Sequence, residues 1–327
     1  MSTAAFSVDD VAREVQEADL RIRPHIRETP LEYSPVLSRD TGCEVYLKLE
    51  NTQVTGSFKA RGAFNKLLSL SEAERSRGIV TASTGNHALA TVHALAVLGL
   101  AGEIFLPRTA SPVKIAGLEL RGANLHLVDD DPGTVEIIAR RQADETGRVY
   151  ISPYNDPQII GGQGTIAVEL LRQAPRMDAV FVPVGGGGLI AGIAGYLAVT
   201  EAGTRVVGCQ PETSPIMARS TEAGRLVELP NLDTVSDATA GLVEPGAITF
   251  PICQTCVSDW VLPSEAELRS AIRLIVVHHS VLIEGAGALA VAALLRVAAT
   301  YRGQTVVLVL SGSHVAGALL AEVMAQE

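Results

Sequence analysis

The sequence holds little lysine, few aromatics and few cysteines, and each shortage narrows what the chain can be. Only four of its 26 basic residues are lysines (Lys48, Lys59, Lys66 and Lys114), so lysine is not the default surface cation. Aromatics make up 4% of the 327 residues, too few for platforms on which nucleic-acid bases stack. A formal net charge of −10 also argues against nucleic acid and anionic membranes as partners. No run of about 18 uncharged apolar residues occurs. The nearest approach, residues 281–295, is interrupted by Glu284. The first residues lack the basic-then-apolar order of a secretory signal, so a soluble cytoplasmic protein is expected. The four cysteines, Cys43, Cys209, Cys253 and Cys256, are expected to be reduced. Cys253 and Cys256 have the spacing of a redox pair or half a zinc site. No second pair or nearby histidine completes it, and no metal is expected.

What is present is a core. Hydrophobic residues make up 47% and charged ones 19%, enough for two lobes or one large α/β domain. Ser7 is placed to cap an amphipathic helix running to Leu20. A strand at 44–50 leads through Gly56-Ser57-Phe58-Lys59-Ala60-Arg61-Gly62 into a helix, with Ser57 as the expected N-cap. Ser71-Glu72-Ala73-Glu74 and Ser264-Glu265-Ala266-Glu267 read as capping boxes. From residue 79, strands at 79–82, 101–106 and 123–128 alternate with helices at 88–98, 112–120 and 134–145. A second series follows, with strands at 179–184, 205–210 and 305–310 among helices. Residues 230–258 read as loop. Such alternation implies right-handed crossovers and a parallel sheet. The expected fold is α/β, in two lobes that each carry a mostly parallel sheet flanked by helices.

Ligands of parallel sheets sit at the carboxyl ends of strands, and four such ends carry unusual residues. Lys59 falls in a first helical turn, where the helix field favours the neutral amine and Schiff-base chemistry. Taken alone it reads as an ordinary surface lysine, and the rest of the sequence has to decide. Ser83-Thr84-Gly85-Asn86-His87 would suit a carboxylate, or would simply cap a helix. Gly185-Gly186-Gly187-Gly188 lets backbone N–H groups approach a phosphate closely, with tight packing as the alternative. No Gly-Lys-Ser/Thr follows, so it is not a Walker A loop. Gly186-x-Gly188-x-x-Ala191 is also a degenerate dinucleotide fingerprint, with Gln210 and Glu212 offering weak support for a nicotinamide-dependent dehydrogenase. Ser311-Gly312-Ser313-His314 is a turn or a site, and Glu284 is either exposed at a helix start or buried with a partner.

Together these segments resemble the serine/threonine dehydratase and serine racemase group of pyridoxal-phosphate enzymes, of fold type II, the tryptophan synthase β-like fold. The matches keep the family's order across about residues 30–315. The resemblance implies pyridoxal 5′-phosphate as cofactor. It implies a large cofactor-binding domain from 1–52 and 146–327, a small mobile domain at 53–145, and a homodimer. By the same resemblance Lys59 carries the cofactor as a Schiff base and later removes the α-proton, while Phe58 lines the ring. Gly185, Gly186, Gly187, Gly188 and Leu189 hold the phosphate, Asn86 bonds the 3′-oxygen and Ser311 faces the pyridine nitrogen. Gly241, Glu284 and Gly312 complete the cofactor site. Ser83, Thr84, Gly85, Asn86 and His87 take the substrate carboxylate, and Thr84 is the catalytic candidate on the second face.

A hydroxyl at the pyridine nitrogen does not enforce ring protonation, which fits elimination of a β-hydroxyl. The expected activity is therefore a dehydratase, or ammonia-lyase, acting on a serine- or threonine-like amino acid to give a 2-oxo acid. A racemase and a β-replacement synthase remain the rivals within the class, and a non-catalytic pyridoxal-phosphate-binding protein is a further one. The dehydrogenase outside it leaves Lys59 and residues 83–87 unexplained.

Departures bear on substrate. Gln210 and Ile216 stand where metal-binding members have Glu and Asp, which removes the carboxylates of that cation site. Thr84 replaces the racemases' Ser. Thr239-Ala240-Gly241, Glu284-Gly285 and Ser313-His314 also differ from the usual pattern, pointing to a substrate other than plain threonine. The Glu284-Gly285-Ala286-Gly287-Ala288 form looks like the dehydratases of hydroxyectoine breakdown. The chain ends soon after the last motif, so feedback by isoleucine through a regulatory domain is not expected.

Overall fold

The computed structural model describes residues 6–325 except positions 175, 202 and 231. Among the described residues, ten strands form two sheets. They are β1 (Leu31–Tyr33), β2 (Glu44–Lys48), β3 (Ile79–Ala82), β4 (Gly102–Pro107), β5 (Asn124–Val128), β6 (Val149–Tyr150), β7 (Ala179–Pro183), β8 (Arg205–Cys209), β9 (Asp259–Val261) and β10 (Thr305–Val309). The larger sheet has the order β1-β2-β10-β7-β8-β9 and the smaller one β5-β4-β3-β6. Only β1 runs antiparallel, pairing Leu31 with Lys48; the remaining pairs are parallel.

The central strands β7 and β10 are buried along their whole length, as their unbroken apolar runs require of strands covered on both faces. The helices Val8–Ile22, Pro157–Gln173 and Gly188–Thr200 pack on that sheet. Two of them touch at backbone distance. A Cβ on Gly192 would lie 2.4 Å from the Ile160 carbonyl, and one on Gly164 would lie 2.8 Å from that of Gly192. The Ser7, Ser71 and Ser264 caps all form, each with its reciprocal N3 carboxylate.

Ser57 does not cap its helix. Phe58 occupies the N-cap position without a side-chain bond, and Lys59 begins the helix Lys59–Ser69. Ser57 instead forms an antiparallel bridge to Gly312, and Phe58 N–H donates to the Ser311 carbonyl. Long-range pairing overrides the local cap here. The short strands β1, β6 and β9 and the helix Thr249–Cys256 also lay outside the sequence expectation. Two or three residues carry too little alternation to betray a strand. β6, at 149–150, pairs with β3 although it lies past residue 145. The helix expected from 163 starts at Pro157, capped by Asp156.

Candidate active site

The cleft is built at the carboxyl ends of β2, β3, β7 and β10, where the connecting turns carry the chemistry. Lys59 enters it from the start of its helix. Its Nζ donates to the Pro153 carbonyl at 2.7 Å and stands 5.3 Å from the centre of the Phe58 ring. Loss of hydration lowers the amine to about 8, against the opposing pull of Glu136 and Glu284. An ammonium has three hydrogens to give, and this one gives a single hydrogen bond inside the protein.

The facing wall joins three segments through one amide. Asn86 Nδ2 donates to Glu284 Oε1 at 2.7 Å, and Asn86 Oδ1 lies 2.6 Å from His314 Nδ1. The His314 backbone N–H donates to Glu284 Oε2 at 3.1 Å. Glu284 is buried, and burial, reinforced by Asp237, raises its carboxyl to about 7. Gly312 has to be glycine here, because a Cβ would come within 2.4 Å of Glu284 Oε1. Ser311 is buried beside it at the end of β10.

Ser83, Thr84 and Gly85 are half-buried ahead of the helix Asn86–Leu98, whose start no side chain caps. Its first N–H groups are therefore open to an anion. The His87 ring turns the other way, 3.0 Å from Thr81 Oγ1 and 3.3 Å from the Ile151 carbonyl. Burial and then the charge of Lys59 push it down to about 3, so it stays neutral. Residue 87 can offer a ligand only its backbone.

The tetraglycine turn joins β7 to the helix Gly188–Thr200, with Gly187 at φ +89°. Side chains would not fit along it. A Cβ would meet the Tyr154 ring at 2.5 Å from Gly186, Tyr154 again at 3.0 Å from Gly188, and the Thr239 backbone at 3.1 Å from Gly185. The last contact sets the Thr239-Ala240-Gly241 segment against the turn, with Gly241 at φ +127°. The Leu189 side chain belongs to the core beneath.

The residues just after β6 were missed in the sequence because β6 itself was. Pro153 receives the Lys59 amine, Tyr154 floors the glycine turn, and Asn155 Oδ1 accepts from Ile248 N–H at 2.8 Å. Two ion pairs tie the smaller sheet's helices to the loop over the cleft: Arg140 to Glu244 at 2.8 Å and Lys114 to Asp237 at 3.3 Å.

Other candidates are occupied. Gln210 Oε1 accepts from Ala218 N–H at 2.8 Å, and Ile216 is in the core. Burial pushes the Cys253 and Cys256 thiols up, away from reactivity.

Comparison with known proteins gives these features a context. A family described as "Pyridoxal-phosphate dependent enzyme" matches residues 22–312. An L-threonine ammonia-lyase of Thermotoga maritima is 39% identical over 92% of this chain and 75% of its own length. The L-threonine dehydratase catabolic TdcB of Escherichia coli is 39% identical over 88% of this chain and 86% of its own. The solved structure of maize serine racemase superposes with a TM-score of 0.90 at 30% identity, covering 96% of each chain.

Proposed function

This chain belongs to the pyridoxal-phosphate dependent enzymes, and on that premise we propose that it removes water and then ammonia from a serine- or threonine-like β-hydroxy amino acid. It is a lyase of the threonine dehydratase kind, with a 2-oxo acid as product. The observation that carries the reading is Lys59: a half-buried amine, lowered to about 8, with one internal hydrogen bond, at the mouth of a glycine cradle.

The residues present fit the cofactor. The tetraglycine turn carries no side chain and opens a helix that no side chain caps, so its backbone N–H groups can face a phosphate. The buried Ser57 hydroxyl, two residues from Lys59, has no partner of its own. Gly185 to Leu189 would hold the phosphate by backbone N–H groups. Phe58 and Gly241 would flank the ring, Asn86 and Glu284 would serve its phenolic edge, and Ser311 and Gly312 its nitrogen edge. The cofactor supplies an electron sink that acidifies the α-carbon of a bound amino acid.

The chain does the rest. The Ser83–His87 turn, with hydroxyls and open N–H groups at a helix start, binds and orients the substrate carboxylate. Lys59, whose neutral form is accessible near neutral pH, moves the α-proton. By the family resemblance, Thr84 would offer a hydroxyl on the second face of the substrate. The unit that carries the smaller sheet, from residue 53 through β6 at 149–150, is the mobile lobe that closes on the substrate and sheds water. A cytoplasmic homodimer belongs to the same proposal. Support comes from the family resemblance and, for solubility, from the net charge of −10.

The test is 2-oxo acid release from both enantiomers of serine and threonine, 3-hydroxyaspartate and phenylserine, with Lys59→Ala as control. Release that depends on Lys59 is expected. Retention of the amino acid with inversion would replace this reading by a racemase, and turnover only with an added nucleophile by a synthase.

A further inference from the structure

The His314 imidazole shares a hydrogen bond with the cleft wall, and its surroundings fix which nitrogen carries the proton. Above the pH near 7 at which Glu284 titrates, its carboxylate takes a hydrogen from Asn86 Nδ2 at 2.7 Å and another from the His314 backbone at 3.1 Å. A carboxylate oxygen that accepts must face the NH2 end of the amide, so the carbonyl end of Asn86 points at His314. That carbonyl can only accept. The 2.6 Å contact with His314 Nδ1 is a hydrogen bond only if Nδ1 is protonated.

We infer that His314 is a positioning residue: as the Nδ1–H tautomer it locks the Asn86 amide, leaving its second Nδ2 hydrogen as the donor for an anionic oxygen of the bound group. This rests on the cofactor reading given above. With the amide reversed, Asn86 would turn a carbonyl towards that oxygen and repel it. The ring is seated by Gly56, at φ +74°, where a Cβ would lie 2.8 Å from His314 Cε1 and 3.2 Å from Nε2. The Nε2 lone pair is then the free end of the imidazole.

The charged groups around the ring are Glu284 beneath it, Lys114 and Arg121 from across the cleft, and Asp237 paired to Lys114. Desolvation first, then Arg121 and Lys114, hold the imidazole below its ordinary range, so it is neutral at pH 7. Protonation in acid would fall on Nε2 and leave the Nδ1–H bond in place.

Two readouts test this. Long-range proton–nitrogen NMR of the full-length protein labelled at histidine nitrogen, with the His314 signal assigned by its loss in His314→Asn, should show the Nδ1–H tautomer with or without added pyridoxal phosphate. His314→Ala should weaken pyridoxal phosphate binding by about tenfold, the worth of one or two hydrogen bonds. It should also shift the visible absorption band of the bound cofactor. His314→Asn, which restores a side-chain amide donor, should recover both. An Nε2–H tautomer, or a His314→Ala protein with unchanged affinity and band position, overturns the assignment. Wild-type protein that binds no pyridoxal phosphate would sink the cofactor reading instead, and the tautomer would then decide the positioning role alone.

Discussion

Lys59 and Arg61 stand two residues apart at the start of one helix, and the protein treats their charges in opposite ways. All five Arg61 N–H groups are engaged: Nε and Nη2 with Glu50 at 2.8 and 2.7 Å, Nη1 and Nη2 with Glu169 at 2.8 and 2.9 Å, and Nη1 with Thr165 at 3.0 Å. Lys48 likewise gives its three hydrogens to Thr29, Glu169 and Gln173. Burial alone would raise Glu169, but Arg61 and Lys48 overcome it and hold the carboxyl down to about 2. Lys59 makes one bond and its amine falls to about 8. A buried cation with every donor matched is scaffold; one with donors to spare is chemistry. The two are coupled, because the network that pins Arg61 also pins the helix start that aims Lys59.

The sharpest way to break this comparison is to exchange the losses. Lys59→Ala should abolish turnover, by about four orders of magnitude or more, as expected for loss of a covalent and proton-transfer group. Its fold should survive and gain stability near pH 7. The folded amine titrates near 8 and the unfolded one near 10.5, so the unfolded chain binds more protons between those values. Wild-type stability should accordingly rise from pH 8 to 10.5, and the variant should lose that slope. Urea titrations across that range read both. Arg61→Met should do the reverse in kind, destabilising by about 3–5 kcal/mol because two buried carboxylates lose their partner. Equal destabilisation by the two substitutions would end the distinction between scaffold and site.

Much of this site was legible because glycine and hydroxyl residues cluster after strands that announce themselves by unbroken apolar runs, as at 179–184 and 305–310. The turn at Ser57 was misread since its fate is set by Gly312, some two hundred and fifty residues away, and not by its own helix. Pro153 and Tyr154 escaped for a related reason. They follow β6, a strand of two residues stabilised by its neighbour β3 and carrying no periodicity of its own. The scaffold network was invisible too, since nothing local to Glu50, Arg61 or Glu169 says that they meet.

Glu284 sharpens the contrast on the anionic side. Glu169 is stabilised as a carboxylate, whereas Glu284 is raised to about 7 from an ordinary 4.5. The folded state thus binds the extra proton. Stability should fall as pH rises from 4.5 to 7, with the penalty complete above 7. Glu284→Gln removes the charge but turns one donor of its own towards either Asn86 or His314, forfeiting about 1 kcal/mol of hydrogen bonding. The net expectation at pH 8 is a protein more stable by about 1–2 kcal/mol, with the slope between pH 4.5 and 7 flattened. Thermal melts at pH 5 and 8 check it, and an unchanged slope would assign the titration elsewhere.

The smallest expected effect separates structure from readiness within the turn itself. Ser57 is fully buried, its backbone is bridged to Gly312, and its hydroxyl has no partner. Removing a buried hydroxyl that has no partner recovers about 1 kcal/mol of desolvation, less the cost of the small void it leaves. Ser57→Ala should therefore stabilise the cofactor-free protein by about that amount, leaving the backbone bridge intact. If the hydroxyl is held in reserve for the cofactor, the same substitution should weaken pyridoxal phosphate binding by a comparable factor. The two measurements, urea midpoint without cofactor and cofactor affinity, should then move in opposite directions. A loss of stability in the cofactor-free protein would show instead that Ser57 is part of the scaffold, on the Arg61 side of the divide.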